Sequence, residues 1–229
     1  MPKRTWPEWD AVLSSAAHLQ RVLPDAVLVG GTAAALHVGH RISVDGDHVL
    51  TDLRTRFDDI LAQLESVAGW RSARVQRPVQ ILGSLDGIDT GVRQLRRAAP
   101  LDTMEIEHAG QRLRVPTEQE MLRIKGVLIL GRNATRDYLD FAALADHLGP
   151  EHTARALERF DDLYPQPSGE SALQQLQVQL ANPLPFDLDE TDLREYKHVA
   201  PRWQDWASVK ETCARQAVMI FDHLADRRR

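Results

Sequence analysis

With 229 residues, 43% of them hydrophobic and 27% charged, the chain can bury a sizeable core and is too apolar to stay disordered. Its net charge of −5 argues against indiscriminate nucleic-acid binding, which needs clustered Lys and Arg, and its one cysteine, Cys213, excludes an intrachain disulfide framework. No apolar run approaches the roughly 20 residues of a membrane span, and the opening MPKRTWPEWD lacks the apolar stretch of a secretory signal, so a cytoplasmic protein is expected.

Apolar residues at helical spacing predict an opening helix over 7–22. The run Asp25-AVLV-Gly30-Gly31 reads as a short buried strand and a tight turn. Thr32-AAALHV favours helix, with Thr32 as its cap and Gly39 as its stop. From Ile42 to Leu53 apolar and polar residues alternate, as on a half-buried strand. Residues 56–67 predict a helix with Phe57, Ile60, Leu61 and Leu64 on one face. Residues 72–92 look extended, and strands at Met104–Glu107 and Arg112–Val115 are joined by a hairpin turn at His108-Ala-Gly110. After Pro116 the character changes. Thr117 and Glu120 have capping-box spacing, and the rest is mainly helical, interrupted at Tyr164-PQPSG and Asn182-PLP. An α+β architecture follows, with a sheet domain over 1–116 and a helical region over 117–229.

Chemistry concentrates at Gly30-Gly31-Thr32 and Asp45-Gly46-Asp47. Two glycines after a strand let backbone approach a ligand closely. The start of the following helix offers unpaired N–H groups and a positive dipole end, suited to phosphate. Aspartates at i and i+2 on a strand point to one face and repel each other unless a cation lies between them. Magnesium fits, because it takes a few carboxylate oxygens together with substrate phosphates. The bland alternative for Asp45-Gly46-Asp47 is an exposed turn.

The stretch GGTAAALHVGHRISVDGD resembles the signature of the AbiEii/AbiGii toxin family of nucleotidyltransferases, within the DNA polymerase β-like superfamily. A second family-like block, Lys125-GVLILGR-Asn133-ATRDYLDFAAL, carries Lys125, Arg132, Arg136, Asp137 and Asp140. The resemblance covers roughly residues 27–147. It implies a small mixed-sheet nucleotidyltransferase core with flanking helices, its active-site cleft completed by the helical half. It also implies that Gly30, Gly31 and Thr32 hold a triphosphate and that Asp45 and Asp47 bind the metal. Lys125 would approach the nucleotide phosphates, with Asp137 near the catalytic centre or orienting Lys125. A third carboxylate usual in the superfamily is assigned to Asp89, with Asp86 as the substitute if the strand register differs. His48 departs from the family's apolar preference and is expected to point away from the carboxylates as a packed histidine. His40 and Arg41 are expected to support the turn leading to the aspartates.

The activity expected is magnesium-dependent transfer of a nucleotide from an NTP to an acceptor hydroxyl with release of pyrophosphate (EC 2.7.7 type), with Mn2+ as an alternative metal. By resemblance it is a toxin that modifies the 3′ end of tRNA and is restrained by an antitoxin protein. The sequence does not choose among ATP, CTP, GTP and UTP. A protein or small-molecule acceptor stays open, as does a non-catalytic nucleotide-binding regulator. Any RNA groove is expected near Arg71, Arg74 and Arg77 or near Arg93, Arg96 and Arg97; Arg227–Arg229 form a third basic group.

Overall fold

A computed structural model describes residues 6–226 of the chain; the basic group at 227–229 lies outside them. The chain divides into two compact units. One runs to Ala33 and resumes from Ser43 to Thr117; the other takes Ala34–Ile42 and the chain from Glu118 onward.

The first unit opens with α1 (Pro7–Val22), whose Pro7 sits in the first turn, where no intrahelical N–H is required. Strand β1 (Val27–Leu28) has only two residues, and α2 begins at Gly30 and ends at Val38. After β2 (Gly46–Leu50) and α3 (Phe57–Glu65) come β3 (Trp70–Gln76), β4 (Gln80–Leu85) and β5 (Ile88–Gln94). These five strands form one sheet in the order β1-β2-β5-β4-β3, with β2 and β5 parallel and the other pairs antiparallel. Strands β6 (Thr103–His108) and β7 (Gln111–Pro116) make a separate hairpin, turned at Ala109 and Gly110, both of positive φ.

The sheet has two unlike faces, as the period of two along each strand requires. Leu50, Ile81, Leu85 and Val92 point to one side and pack with Leu19 of α1, Leu23 just after that helix, and Phe57, Ile60 and Leu64 of α3. This apolar layer is the core of the unit. Asp47, Arg93, Gln80 and Arg74 occupy the alternate positions, on the face turned away from that core.

Two expectations are corrected here. The strand expected from Ile42 starts at Gly46, because the Ile42 N–H donates to the Lys197 carbonyl (2.8 Å) instead of joining the sheet. Thr32 does not cap α2, which begins two residues earlier; its hydroxyl donates to the Asp45 carbonyl (2.5 Å).

The second unit is helical: α4 (Glu118–Arg132), α5 (Thr135–Leu148), α6 (Pro150–Leu157), α7 (Phe160–Leu163), α8 (Ala172–Ala181) and α9 (Trp206–Asp226), with 3-10 turns between α8 and α9. Its core includes Tyr138, Phe141, Phe160, Leu176, Val209 and Cys213, all fully buried or nearly so. No helix among the described residues is long and apolar enough to cross a membrane.

Candidate active site

In the sheet unit, Asp47 is the second residue of β2 and Asp45 stands just before that strand. Both are half-buried, while Gly46 and His48 between and after them are buried, so the alternation continues through Asp45. The Ser43 hydroxyl donates to Asp45 Oδ1 at 2.5 Å and fixes that carboxylate. Gly30 adopts φ +77°, a conformation that L side chains rarely take, and a Cβ there would lie 3.7 Å from Asp47 Cβ. The start of α2 is thereby brought beside Asp47. Helix-start N–H groups have no intrahelical partner, and Gly30 and Gly31 are partly open. Thr32 is buried, so its side chain braces the Asp45 loop.

The parallel register sets Gly46 opposite Thr90 and Asp47 opposite Gly91. Asp89 and Asp45 each stand one residue before that pairing begins, and Asp89 is exposed. The Thr90 hydroxyl donates to the Gly46 carbonyl and ties the two strands at this level. Asp86, the substitute third carboxylate, lies in the turn after β4, and its Oδ2 is 2.8 Å from His18 Nδ1. Among the described residues no group of three or more His, Cys, Asp or Glu side chains converges as a metal site. Two carboxylates on one open face still suit magnesium, which completes its octahedron with water and substrate phosphates.

A residue that the sequence reading left out of the candidate site lies beside Asp47. Arg93, two residues beyond Gly91 on the same face of β5, places Nη2 3.6 Å from Asp47 Oδ1. Its other nitrogen donates to Gln80, the residue directly opposite on β4. Counting by twos along β5 from Asp89 would have found it; the pairing of β5 with β2 could not be read from the sequence.

His48 lies on the apolar face, with no exposed surface, and its Nδ1 is 2.8 Å from the Gly46 carbonyl oxygen. Burial pushes its pKa from 6.5 down to about 4. The unfolded chain therefore takes up this proton first as the pH falls. The His48 contribution is complete above pH 6.5 and is lost between 6.5 and about 4, a drop of about 3 kcal/mol. Urea unfolding between pH 7 and 4 should show this slope in the wild-type chain and a flatter one in His48→Phe.

In the helical unit, His40 and Arg41 are anchored by Asp140 of α5. Arg41 Nε and Nη2 donate to the two Asp140 oxygens at 2.8 and 3.0 Å, and His40 Nε2 lies 2.7 Å from Oδ1. Lys125 Nζ is 2.7 Å from Asp140 Oδ2 and 3.6 Å from Asp137 Oδ1. Asp137 in turn accepts two hydrogen bonds from Arg132, at 2.7 and 2.9 Å. Arg41 also stacks over Tyr196, 5.4 Å from the ring centre. Burial alone would push the Asp140 pKa up, but Arg41, Lys125 and His40 outweigh it and hold the carboxyl well below the usual carboxylate range. Burial lowers the His40 pKa despite the hydrogen bond that its ring donates to Asp140. Lys125 is 2% exposed. Its ammonium is committed to Asp140 and Asp137.

No family model matches the chain. Curated relatives do. It is 32% identical over 234 aligned residues to the probable transport protein MmpL11 of Mycobacterium bovis and the heme uptake protein MmpL11 of Mycobacterium tuberculosis, over 92% of this chain but only 22% of theirs. The chain therefore spans about a fifth of the length of these relatives. Among solved structures, JHP933 from Helicobacter pylori aligns with a TM-score of 0.54 at 16% identity, over 98% of this chain and 96% of that one. A nucleotidyltransferase candidate from the same organism aligns with a TM-score of 0.53 at 17% identity, over 93% and 94%. The chain thus has the α+β fold of nucleotidyltransferase-like proteins.

Proposed function

We propose that the chain is a nucleotidyltransferase that moves a nucleotide from an NTP to an acceptor hydroxyl and releases pyrophosphate. The observation that carries this reading is the meeting of the α2 start at Gly30 with Asp47, one residue pair from Asp45, on the open face of the sheet. Asp45 and Asp47 would hold Mg2+, which would supply Lewis-acid stabilisation of the triphosphate oxygens. Gly30 and Gly31 would receive the phosphates through backbone N–H groups, with Thr32 holding the loop of Asp45. Asp89 would accept the proton of the acceptor hydroxyl. Lys125 and Asp137 are assigned to the reaction on resemblance alone; Lys125 sits within the Asp140 cluster and Asp137 is fixed by Arg132.

The finer reading, also a proposal, is an AbiEii-type toxin that acts in the cytoplasm on the 3′ end of tRNA and is checked by an antitoxin. Incubation with each labelled triphosphate, Mg2+ and total RNA, followed by a denaturing gel, tests it. One labelled band at the size of tRNA, with one preferred triphosphate, is expected. Label on protein or on no macromolecule would contradict the tRNA assignment.

A second reading takes its support from the mycobacterial relatives. A segment that matches a fifth of a transport protein suits a nucleotide-binding regulatory module without turnover. Nucleotide binding with no pyrophosphate release under any acceptor would favour it.

A further inference from the structure

Both faces of helix α9 are built to pack. Val209, Cys213, Gln216 and Ile220 turn inward and are buried. Around the opposite face, at spacings of three and four, stand Glu211, Ala214, Val218, Phe221 and Ala225, flanked by Arg215 and Asp222. Val218 is 59% exposed and Phe221 64% exposed, at positions where a helix that packs on one side only carries polar residues. Helix α8 lies alongside. Its Gln177 Nε2 donates to the Ala217 carbonyl at 3.3 Å, and Val178, the next residue, is 72% exposed. The apolar strip therefore runs over two neighbouring helices. A strip of this kind marks an interaction surface, whereas one exposed apolar side chain does not.

We propose that this face joins two copies of the chain, with their α9 helices antiparallel about a two-fold axis beside Val218. The order of residues is self-complementary about that point, as a two-fold contact requires. On the flank towards α8, Ala214 precedes Val218 by one turn and Phe221 follows it by nearly one. Reversing the second helix therefore sets each Phe221 ring over the small Ala214 of the other copy, as a knob over a hole. On the other flank the same reversal sets Arg215 against Asp222 of the second copy, and the axis repeats the pair. Both side chains are exposed. Within its own chain Arg215 approaches Asp146 only to 3.6 Å, and Asp146 already accepts two hydrogen bonds from Arg202 at 2.6 and 2.8 Å. A parallel pairing would instead set Arg215 on Arg215 and Asp222 on Asp222. An anionic lipid surface fits less well, because Glu211 and Asp222 border the strip and would be repelled.

Sedimentation velocity of the full chain from about 1 to about 100 μM tests the proposal. The wild-type chain should sediment as a dimer at the upper end of that range. Val218→Glu, at an exposed position where a charge does not disturb the fold, should weaken association about a hundredfold or more. Arg215→Glu and Asp222→Arg should each weaken it about tenfold, through like charges facing one another across the axis. The double variant Arg215→Glu/Asp222→Arg should restore wild-type affinity, a rescue that a parallel contact or a contact elsewhere would not give. A wild-type chain that is monomeric at the highest concentration would overturn the proposal. So would a dimer that survives Val218→Glu unchanged, or a double variant no tighter than the single ones. A monomer that floats with vesicles of anionic phospholipid would overturn it too, and would give this face to a lipid surface.

Discussion

Asp47→Ala is expected to lower nucleotide transfer roughly a thousandfold or more, because it removes one of two carboxylates proposed to hold the cation at the reacting phosphates. The side chain is 32% exposed and lies beside Asp45 and Arg93, not in the apolar core. Its loss relieves a repulsion between carboxylates and leaves Arg93 partly in water. The midpoint of thermal unfolding should accordingly stay within a few degrees of wild type. Asp47→Asn sharpens the point, since it keeps the shape and removes only the charge. Transfer of radiolabel at the wild-type rate by either variant would remove Asp47 from the metal site.

The largest stability effect is expected at Asp140. It is fully buried and receives Arg41, His40 and Lys125 at 2.7–3.0 Å. Asp140→Asn deletes the negative charge and leaves two buried cations facing a neutral amide. Removing one partner from a buried ion cluster costs about 3–5 kcal/mol, enough to lower the unfolding midpoint by about 10 °C in a chain of this size. Because the folded carboxyl titrates below its ordinary 3.8, its contribution is complete above that pH and is lost only as acid carries the pH through the lower folded value. The Asn variant should therefore show its deficit at pH 7 and converge on wild type in strong acid. A midpoint unchanged at pH 7 would show that the cluster is solvated and weak.

Much of the fold can be read from the sequence, and the limits of that reading have identifiable causes. Helix α1 follows directly from its apolar spacing, and three strands lie where residues 72–92 look extended. The start of α2 was displaced because Thr32 has the chemistry of a cap, while Gly30 can take a positive φ and begin the helix earlier. Alternation through Ile42 suggested a longer strand, yet a distant carbonyl, that of Lys197, claims the Ile42 N–H. Periodicity carries no information about such partners.

The candidate site divides along the same line. Gly30, Gly31, Asp45 and Asp47 belong to one strand–helix–strand passage, so local pattern already groups them and the fold sets Gly30 beside Asp47. His40 and Arg41, expected to support the turn before the aspartates, bond instead to Asp140, about a hundred residues away. Nothing in the spacing could single out that carboxylate over Asp137 as the principal partner of Lys125. Arg93 depended on a parallel pairing between β2 and β5, which is a property of topology. Arg71 and Arg74 share one face of β3, whereas Arg77 turns to Phe57 and Asp58, a difference that chain spacing does not carry.

The central claim is that Asp45 and Asp47, beside the α2 start, form a metal–triphosphate centre that turns over. A coupled assay of pyrophosphate release tests it most directly, with each of the four triphosphates, Mg2+ and total RNA, on wild type and Asp45→Ala. Release that needs Mg2+ and RNA, favours one triphosphate and vanishes in Asp45→Ala is the result expected. Pyrophosphate release by Asp45→Ala equal to wild type, or none from wild type although the nucleotide binds, would contradict it.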